Sequence, residues 1–198
     1  NGCNCIFTDS EIIYDQMHKS CNIYLVDNAR KALALASIAI FKEAPENILA
    51  VTGTNGKSSV AHYICSIISS LGQKAASIGT LGINIYENGV IIEENPANLT
   101  TLDSISFSRE LMNLKKRGIN YCAVEASSIG LDQYRMYGRK FISMGFTSFS
   151  QDHLDYHLNM AEYLRAKLKL FSEYSDDSSL SIINSEIKEL PVNYKAWN

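Results

Sequence analysis

Apolar and polar positions along this chain follow two alternating patterns, one typical of strands and one typical of helices. Short apolar runs, as in buried strands, are separated by longer stretches in which apolar residues recur every three or four positions, as on a helix. The predicted strands cover residues 22–26, 48–52, 75–78, 121–124, 141–146 and 181–183. Strands that alternate with helices indicate an α/β fold, with a mostly parallel sheet covered by helices on both faces.

Capping and turn residues set the boundaries of the predicted helices. Asn28 opens a helix that ends near Pro45, and Asp103 is suited to cap a helix that runs to Arg117. A further helix begins after residue 59, and the last one covers residues 160–174. In the helix after residue 59, the residues expected to face inward are Val60, Ile64, Ile67, Ile68 and Leu71. Asn88-Gly89 predicts the turn of a hairpin over residues 82–93.

Composition agrees with a globular domain and excludes two classes of partner. Hydrophobic residues make up 46% and charged residues 20%, and 18 basic against 21 acidic side chains give a net charge of −3. That balance has the wrong sign for a general nucleic-acid binder. No apolar run approaches the roughly 20 residues needed to cross a bilayer. We therefore expect neither nucleic acid nor membrane as a partner.

The five cysteines are odd in number and scattered, which favours free thiols in a reducing, cytoplasmic compartment. Cys65 and Cys122 lie in apolar stretches, where a thiol packs as a small hydrophobic group. Cys3, Cys5 and Cys21, with His18, do not have the spacing of a standard zinc site. We therefore expect no zinc site at this end of the chain.

A glycine-rich segment follows the strand predicted over residues 48–52. It reads Gly53, Thr54, Asn55, Gly56, Lys57, Ser58 and Ser59, and a helix follows it. Strand, glycine-rich loop and helix form the setting in which backbone N–H groups and a helix N-terminus bind phosphate. Lys57 adds an ammonium group, and the Ser58 hydroxyl is suited to Mg²⁺. Val51 occupies the first glycine position of the usual pattern, so this loop is a shorter variant.

Lys167 falls in the middle of the apolar stripe of the last helix. The stripe consists of Met160, Tyr163, Leu164, Leu168 and Phe171. Burial of an unpaired ammonium is costly, so Lys167 must extend to solvent, pair with an acid or lose its charge. A neutral amine is also a nucleophile that can capture carbon dioxide as a carbamate.

Acidic and imidazole side chains cluster before that helix and at one strand end. Residues 152–157 read Asp-His-Leu-Asp-Tyr-His, which fits either a loop capped by acids or a metal site. Glu125, at the end of a predicted strand, is the better primary ligand for Mg²⁺, and His153 would be an unusual extra ligand. A solvated strand end is the alternative for Glu125.

Several ordered motifs together resemble the Mur ligase family. They lie at residues 51–59, 78–82, 99–103, 125–135 and 151–157, with Lys167 downstream. The resemblance covers residues 27–169, and the motifs in this order are far more specific than any one of them. Folylpolyglutamate synthase and the family members that add D-glutamate or D-alanyl-D-alanine share the loop and the lysine. They match this sequence less well between Thr100 and Arg135.

The resemblance implies a P-loop-type ATPase domain, the central domain of the family, in incomplete form. Residues 1–44 would belong to the end of the N-terminal UDP-binding domain and residues 45–198 to the central ATP-binding domain. The C-terminal ligase domain would be absent, as if the chain were cut from a longer protein.

The implied activity is that of a cytoplasmic, ATP-dependent amide ligase of peptidoglycan precursor synthesis, which serves cell wall biogenesis, cell shape and cell division. It would add meso-diaminopimelate or lysine to UDP-N-acetylmuramoyl-L-alanyl-D-glutamate through an acyl phosphate. A folylpolyglutamate synthase-like ligase is the alternative. By itself this fragment is expected to be inactive, a non-catalytic ATP-binding module.

The resemblance also implies roles for individual residues. The loop from Gly53 to Ser59 would hold the phosphates of ATP. The residues implied for the UDP-muramoyl-dipeptide are Thr100, Thr101, Ser127, Gln133 and Arg135. The ligands implied for magnesium are Ser58, Glu125, His153 and Lys167, and the catalytic residues are Lys57 and Lys167, the latter as N6-carboxylysine. Leu102 and Ile129 depart from the usual proline and histidine, which we expect to loosen the substrate loop.

Overall fold

The computed structural model of the chain describes residues 4–96 and 99–191, in which strands and helices alternate. The strands are β1 (Ile6–Thr8), β2 (Ile23–Leu25), β3 (Asn47–Thr52), β4 (Ala75–Gly79), β5 (Gly82–Glu87), β6 (Val90–Asn95), β7 (Tyr121–Glu125), β8 (Ser143–Phe146) and β9 (Leu180–Ile183). The helices are α1 (Glu11–Met17), α2 (Ala29–Ile40), α3 (Lys57–Ser70), α4 (Ser104–Lys116), α5 (Ser128–Asp132) and α6 (Met160–Ser172).

Seven of the strands form one sheet, in the order β6-β5-β4-β7-β3-β8-β9. The strands from β4 to β9 in this order pair in parallel, while β5 and β6 are antiparallel to their neighbours. β1 and β2 form a separate parallel pair. The predicted mostly parallel α/β sheet is therefore confirmed, and the carboxyl ends of β3, β7 and β8 lie next to one another.

Helices cover both faces of the sheet, because neighbouring residues of each strand point to opposite sides. On one face, Ala61 and Cys65 of α3 pack against Ala75 of β4 and Ala123 of β7. On the other face, α4 and α6 join a larger apolar cluster that includes Cys122. Cys65 and Cys122 are both buried, as the apolar stretches around them predicted.

Local signals placed several helix starts and the hairpin turn correctly, but α2 ends at Ile40 and not near Pro45. Asp103 caps α4, since its carboxylate accepts hydrogen bonds from the backbone N–H groups of Ile105 and Ser106. The predicted hairpin turns at Asn88 and Gly89, with φ values of 53° and 83°. A two-residue hairpin turn of this kind needs positive φ at both positions, and Asn-Gly is the pair that adopts them most readily.

The inward face predicted for α3 is wrong in part. Ile67 and Leu71 are 62% and 76% exposed. The buried face consists of the small residues Ala61, Cys65 and Ser69. Small side chains allow the helix to approach Ala75 and Ala123 of the sheet closely, so the large residues Val60, Ile64 and Ile68 lie at the sides and are half-buried.

Three short elements, β1, α1 and α5, were not among the predictions. β1 has three residues and pairs with β2 across the intervening helix α1, and a three-residue strand carries almost no periodic signal. α5 has five residues and begins at the cap Ser127. In the described part of the chain, no helix combines the length and the apolar character needed to cross a membrane.

Candidate functional site

The glycine-rich loop turns from β3 into α3 with a backbone that glycine adopts most easily. Gly53 has φ 149° and Gly56 has φ 85°. A Cβ atom on Gly53 would lie 2.0 Å from Thr147 Oγ1, so a side chain there has no room. The backbone path of the loop therefore favours glycine at both positions, and the close approach to Thr147 also requires it at Gly53.

The N-terminus of α3 has no side-chain cap, unlike those of the other described helices. Gly56 occupies the cap position and has no side chain to accept a hydrogen bond. The capping side chains of the other described helices belong to Ser10, Asn28, Asp103, Ser127 and Asn159. The first N–H groups of a helix have no partner within the helix, and an anion is stabilised there by the helix dipole. The amides that begin α3 are thus available to phosphate oxygens.

Hydroxyl groups that follow β8 support the loop. Asn55 O accepts hydrogen bonds from Thr147 Oγ1 at 2.6 Å and from Ser148 Oγ at 3.1 Å. Thr54 Oγ1 donates to Ser150 O and accepts from Ser150 N. Sequence reasoning missed these supporting residues, although a run of Ser and Thr after a predicted strand was a visible signal.

Lys57 and Lys167 meet at one backbone carbonyl of the loop. Lys57 Nζ donates to Gly53 O and to Thr54 O, each at 2.9 Å. Lys167 Nζ donates to the same Gly53 O at 2.8 Å, from helix α6. Lys167 is 1% exposed, so its side chain does not extend to solvent. That alternative is wrong because Lys167 lies under the loop, on the buried side of α6.

Burial is the main cause of the unusual acid–base properties of these two lysines. It lowers the pKa of Lys167 to about 7, with the positive charge of Lys57 adding to the effect and Asp152 opposing it. Burial also lowers the pKa of Lys57, against the attraction of Glu125 and Asp152. The Lys167 ammonium lies 4.5 Å from the centroid of the Tyr163 ring. Near neutral pH, Lys167 is therefore divided between its charged form and a nucleophilic neutral form.

Glu125 ends β7, beside the loop, and is 4% exposed. Its carboxylate accepts hydrogen bonds from Thr80 N at 3.0 Å and from Thr80 Oγ1 at 3.2 Å. A Cβ on Gly79 would lie 1.9 Å from Glu125 Oε1, so the strand beside the carboxylate must carry glycine. Within residues 4–96 and 99–191, Glu125 takes part in no salt bridge. A buried carboxylate without a paired cation favours a cation in front of it.

His153 lies in the loop before α6 and has a left-handed backbone, with φ 51°. Its ring centroid is 6.0 Å from that of Tyr163, and its Nε2 is 3.6 Å from Asp152 Oδ2. Asp152, which was not among the predicted site residues, attracts both Lys57 and Lys167. The signal for it was its place next to His153 in the acidic motif.

The predicted metal ligands do not belong to a cluster of three or more acidic, His or Cys side chains. No group of three or more such residues occurs in the part of the chain that the structure describes. Ser58 is half-buried in the first turn of α3, and Ser59 beside it is exposed. Cys5 is exposed and Cys21 is half-buried with a free thiol, while Cys3 lies outside the described residues.

The residues predicted to bind the muramoyl substrate form one hydrogen-bonded network beside Glu125. Thr101 Oγ1 donates to Glu125 O and accepts from Ser127 N. Arg135 Nη1 donates to Thr101 O at 2.7 Å, and Arg135 Nε and Nη2 donate to Gln133 Oε1. The hydroxyls of Thr100 and Thr80 lie 3.0 Å apart, within hydrogen-bond distance, and the Thr80 hydroxyl also contacts the Glu125 carboxylate. The structure thus brings Thr100, Thr101, Ser127, Gln133 and Arg135 together at the edge of the loop site.

Comparison with known proteins shows what the chain is similar to. A model of the Mur ligase middle domain matches residues 51–196. A relative from Rickettsia bellii, named UDP-N-acetylmuramoyl-L-alanyl-D-glutamate–2,6-diaminopimelate ligase, is 44% identical over 178 residues, which are 89% of this chain and 37% of the relative. The chain therefore spans a little over a third of that relative.

Two solved structures share the fold. A structure of UDP-N-acetylmuramoyl-L-alanyl-D-glutamate–2,6-diaminopimelate ligase has a TM-score of 0.75 and 28% identity, and the match covers 95% of this chain and 36% of that one. The MurF ligase from Thermotoga maritima in complex with ADP has a TM-score of 0.54 and 13% identity, over 94% of this chain and 38% of that one. At that identity, the second likeness shows the fold alone.

The sheet, the uncapped helix and the lysine-lined loop define a P-loop-type α/β domain. With the match to the middle-domain model over most of its length, the chain belongs to the Mur ligase family. The resemblance inferred from the ordered motifs is therefore confirmed.

The Lys167→Met substitution is expected to raise the free energy of unfolding near pH 7 by up to about 4–5 kcal/mol, since each tenfold change in proton affinity is worth about 1.4 kcal/mol. The pKa of Lys167 falls from 10.5 to about 7 on folding, so the unfolded chain binds the proton more tightly. Wild-type stability then rises with pH between about 7 and 10.5, and the advantage of methionine shrinks over that interval. Urea unfolding at several pH values in carbonate-free buffer measures the difference. Exposed Lys19→Met is the control, and a gain for Lys167→Met that does not vary with pH would contradict the assignment.

Proposed function

We propose that the protein to which this chain belongs is an ATP-dependent amide ligase that adds 2,6-diaminopimelate to UDP-N-acetylmuramoyl-L-alanyl-D-glutamate. The proposal rests on the uncapped N-terminus of α3, next to which Lys57 and the buried Lys167 both donate hydrogen bonds to one carbonyl of the loop. The name of the 44% identical relative supports diaminopimelate over lysine as the incoming residue.

The first chemical step is phosphoryl transfer to the substrate. A γ-carboxylate oxygen of the D-glutamyl residue attacks the γ-phosphorus of ATP, the bond to the β-phosphate oxygen breaks, and an acyl phosphate and ADP result. The amides at the start of α3 and the Lys57 ammonium would bind the phosphates and offset the charge that spreads over their oxygens. The chain thereby contributes position and fixed positive charge.

The second step forms the amide. The neutral amine of diaminopimelate attacks the acyl carbon, a tetrahedral intermediate collapses, and inorganic phosphate leaves as the amine loses a proton. Thr100, Thr101, Ser127, Gln133 and Arg135 would hold the UDP-muramoyl-dipeptide. Their hydrogen-bonded connection to Glu125 supports this role, because a dipeptide bound to them would lie near the glycine-rich loop.

The residues around Glu125 fit a magnesium ion. Glu125 is a buried carboxylate without an ion pair in the described ranges, and Ser58 offers a hydroxyl oxygen, so the donors are the hard oxygens that Mg²⁺ prefers. Ser58, Glu125 and His153 would hold the ion, and ATP phosphates would complete its shell. When bound, Mg²⁺ neutralises charge on the β- and γ-phosphates.

Lys167 would serve as a carbamate, N6-carboxylysine. Its neutral amine attacks the carbon of carbon dioxide, a C–N bond forms, and a proton leaves the nitrogen for solvent. The burial that holds its pKa at about 7 supplies the neutral amine that this reaction needs. The product is an anion beside the Lys57 ammonium, so it removes a like-charge repulsion, and its carboxylate would serve as a further ligand for the magnesium ion.

We propose that residues 1–44 belong to a UDP-binding N-terminal domain and that residues 45–198 form an incomplete central ATP-binding domain. The share of the relative that is covered, 37%, supports an amine-binding domain outside these residues. The fragment alone would then bind ATP without turnover. Free thiols at Cys65 and Cys122 support a reducing cytoplasmic location, and the activity would serve cell wall biogenesis, cell shape and cell division.

Phosphate release tests the proposed activity. We expect the full-length protein to release phosphate from ATP only when Mg²⁺, the UDP-muramoyl-dipeptide and diaminopimelate are all present. Lysine in place of diaminopimelate tests the choice of amine, and a folate substrate with glutamate tests the alternative ligase class. Phosphate release that depends on folate, or release without any acceptor, would overturn the proposal.

The Lys57→Ala substitution is expected to weaken ATP binding at least tenfold. It removes charge-assisted hydrogen bonds to phosphate that are worth about 1.5–3 kcal/mol each. Calorimetric titration of the full-length protein with a non-hydrolysable ATP analogue measures the change. Lys74→Ala, at an exposed lysine after the same helix, is the matched control. Equal affinity of the Lys57 variant and the wild type would show that the loop does not bind the nucleotide.

The Lys167→Ala substitution is expected to lower turnover at least a hundredfold while ATP binding is largely retained. A small carboxylate such as acetate, diffusing into the space left by the side chain, should restore part of the activity, since it replaces the carbamate. Arg165→Ala, on the exposed side of the same helix, is the control. Full turnover of the Lys167 variant without added carboxylate would remove the carbamate from the mechanism.

A further inference from the structure

Helix α5 ends in a turn that normally requires glycine, and here the residue is Tyr134. The backbone N–H of Arg135 donates to Gly130 O, and that of Tyr134 donates to Leu131 O. These two bonds define the Schellman motif, in which the residue after the helix cap is left-handed and is most often glycine. Tyr134 adopts that conformation with φ 55°. A bulky residue is strained there, so surrounding contacts must hold it.

Two ammonium groups lie against the Tyr134 ring. Lys31 Nζ, from α2, is 4.4 Å from the ring centroid, and Lys169 Nζ, from α6, is 4.7 Å from it. Lys31 also pairs with Glu173 at 3.1 Å, and Lys169 pairs with Asp132 at 2.7 Å. The ring therefore connects three parts of the chain, which are α2, the end of α5 and the helix that carries Lys167.

The residues on either side of Tyr134 are Gln133 and Arg135, which would bind the muramoyl substrate. Gln133 Oε1 accepts two hydrogen bonds from the Arg135 guanidinium, and Arg135 Nη1 donates to Thr101 O. Rotation of the backbone at Tyr134 would turn Gln133 away from Arg135. The left-handed conformation at Tyr134 thus determines whether the amide and the guanidinium can act together.

Helix α2 also adds positive charge near Gln133 and Arg135. Burial is the main cause of a lowered pKa of Arg135, and the charge of Arg30, in the first turn of α2 beside Lys31, adds a smaller effect in the same direction. Lys31, in the same turn, contacts the Tyr134 ring. Two neighbouring guanidinium groups favour an anionic ligand, such as a carboxylate or a phosphate.

We propose that Tyr134 is a positioning residue for the anionic acceptor substrate. Held between Lys31 of α2 and Lys169 of α6, its ring fixes the backbone that presents Gln133 and Arg135 and couples the segment before residue 44 to the catalytic helix. This inference rests on the proposed function, because it assumes that Gln133 and Arg135 bind the muramoyl dipeptide.

The alternative is that Tyr134 only completes a turn. Glycine would then serve as well or better, because the left-handed conformation costs it nothing. Tyr134→Gly therefore separates the two explanations: it relieves the backbone and removes the ring. Tyr134→Phe keeps a ring for both ammonium groups, and no hydrogen bond of the Tyr134 hydroxyl is seen among the described residues.

Steady-state kinetics of the full-length protein test the proposal. For Tyr134→Gly we expect the KM for the UDP-muramoyl-dipeptide to rise at least fivefold, with the KM for ATP and the kcat within twofold of wild type. Tyr134→Phe should stay within twofold for all three. The matched control is Asn88→Gly, which makes the same backbone change at the hairpin turn, where φ is 53°. An unchanged KM for the dipeptide in Tyr134→Gly would overturn the inference.

A second measurement separates failure of this inference from failure of the proposed function. A double-mutant cycle of Lys31→Met and Tyr134→Leu on the unfolding of the full-length protein needs no turnover. Non-additive effects would show that the two side chains are coupled, and additive effects would overturn the coupling whatever the activity. Wild-type protein that shows no dipeptide-dependent turnover would refute the proposed function, and the cycle alone would then decide whether Tyr134 couples α2 to α5.

Discussion

The site depends on one backbone carbonyl, Gly53 O, to which two lysines donate at once. Like charges at such short range in a buried place repel, and burial disfavours both charged forms. The arrangement is tolerable because Asp152 and Glu125 attract Lys57, and because Lys167 loses its proton readily. A bound anion would reduce this repulsion between the two lysines, and the uncapped amides of α3 lie beside them. The same arrangement of charge thus favours an anion at the loop, as the proposed binding of ATP phosphate requires.

The rest of the architecture brings chain segments to that carbonyl from three directions. The loop follows β3, Lys57 lies in the first turn of α3, and Lys167 lies on α6. Glu125 reaches the same edge on β7 and connects it, through Thr80 and Thr101, to the network around Arg135. Of the non-glycine residues with positive φ in the described ranges, His153 and Tyr134 lie in these two regions. Backbone strain is therefore located where the ligands are expected to bind.

The sequence predicted the elements well where the signal is local. Asn28, Asp103 and the Asn88-Gly89 turn act through bonds within a few residues of themselves, so their effect is visible without the fold. The face that α3 presents to the sheet was predicted wrongly because hydrophobicity was given more weight than size. Ala61 and Cys65 occupy the buried face because only small side chains fit where the helix packs closely against Ala75 and Ala123.

For this protein, the sequence by itself determined the glycine-rich loop, the place of Lys167 on the apolar stripe of its helix and the family, since each depends on residue types at short spacing. Only the tertiary structure decided that Lys57 and Lys167 share Gly53 O, that Thr147 and Ser148 hold the loop, and that Tyr134 lies against Lys31 and Lys169. These contacts join residues separated by about 30 to more than 100 positions along the chain. Such partners are chosen by the order of strands in the sheet and by the packing of helices on it, and no local pattern records that choice.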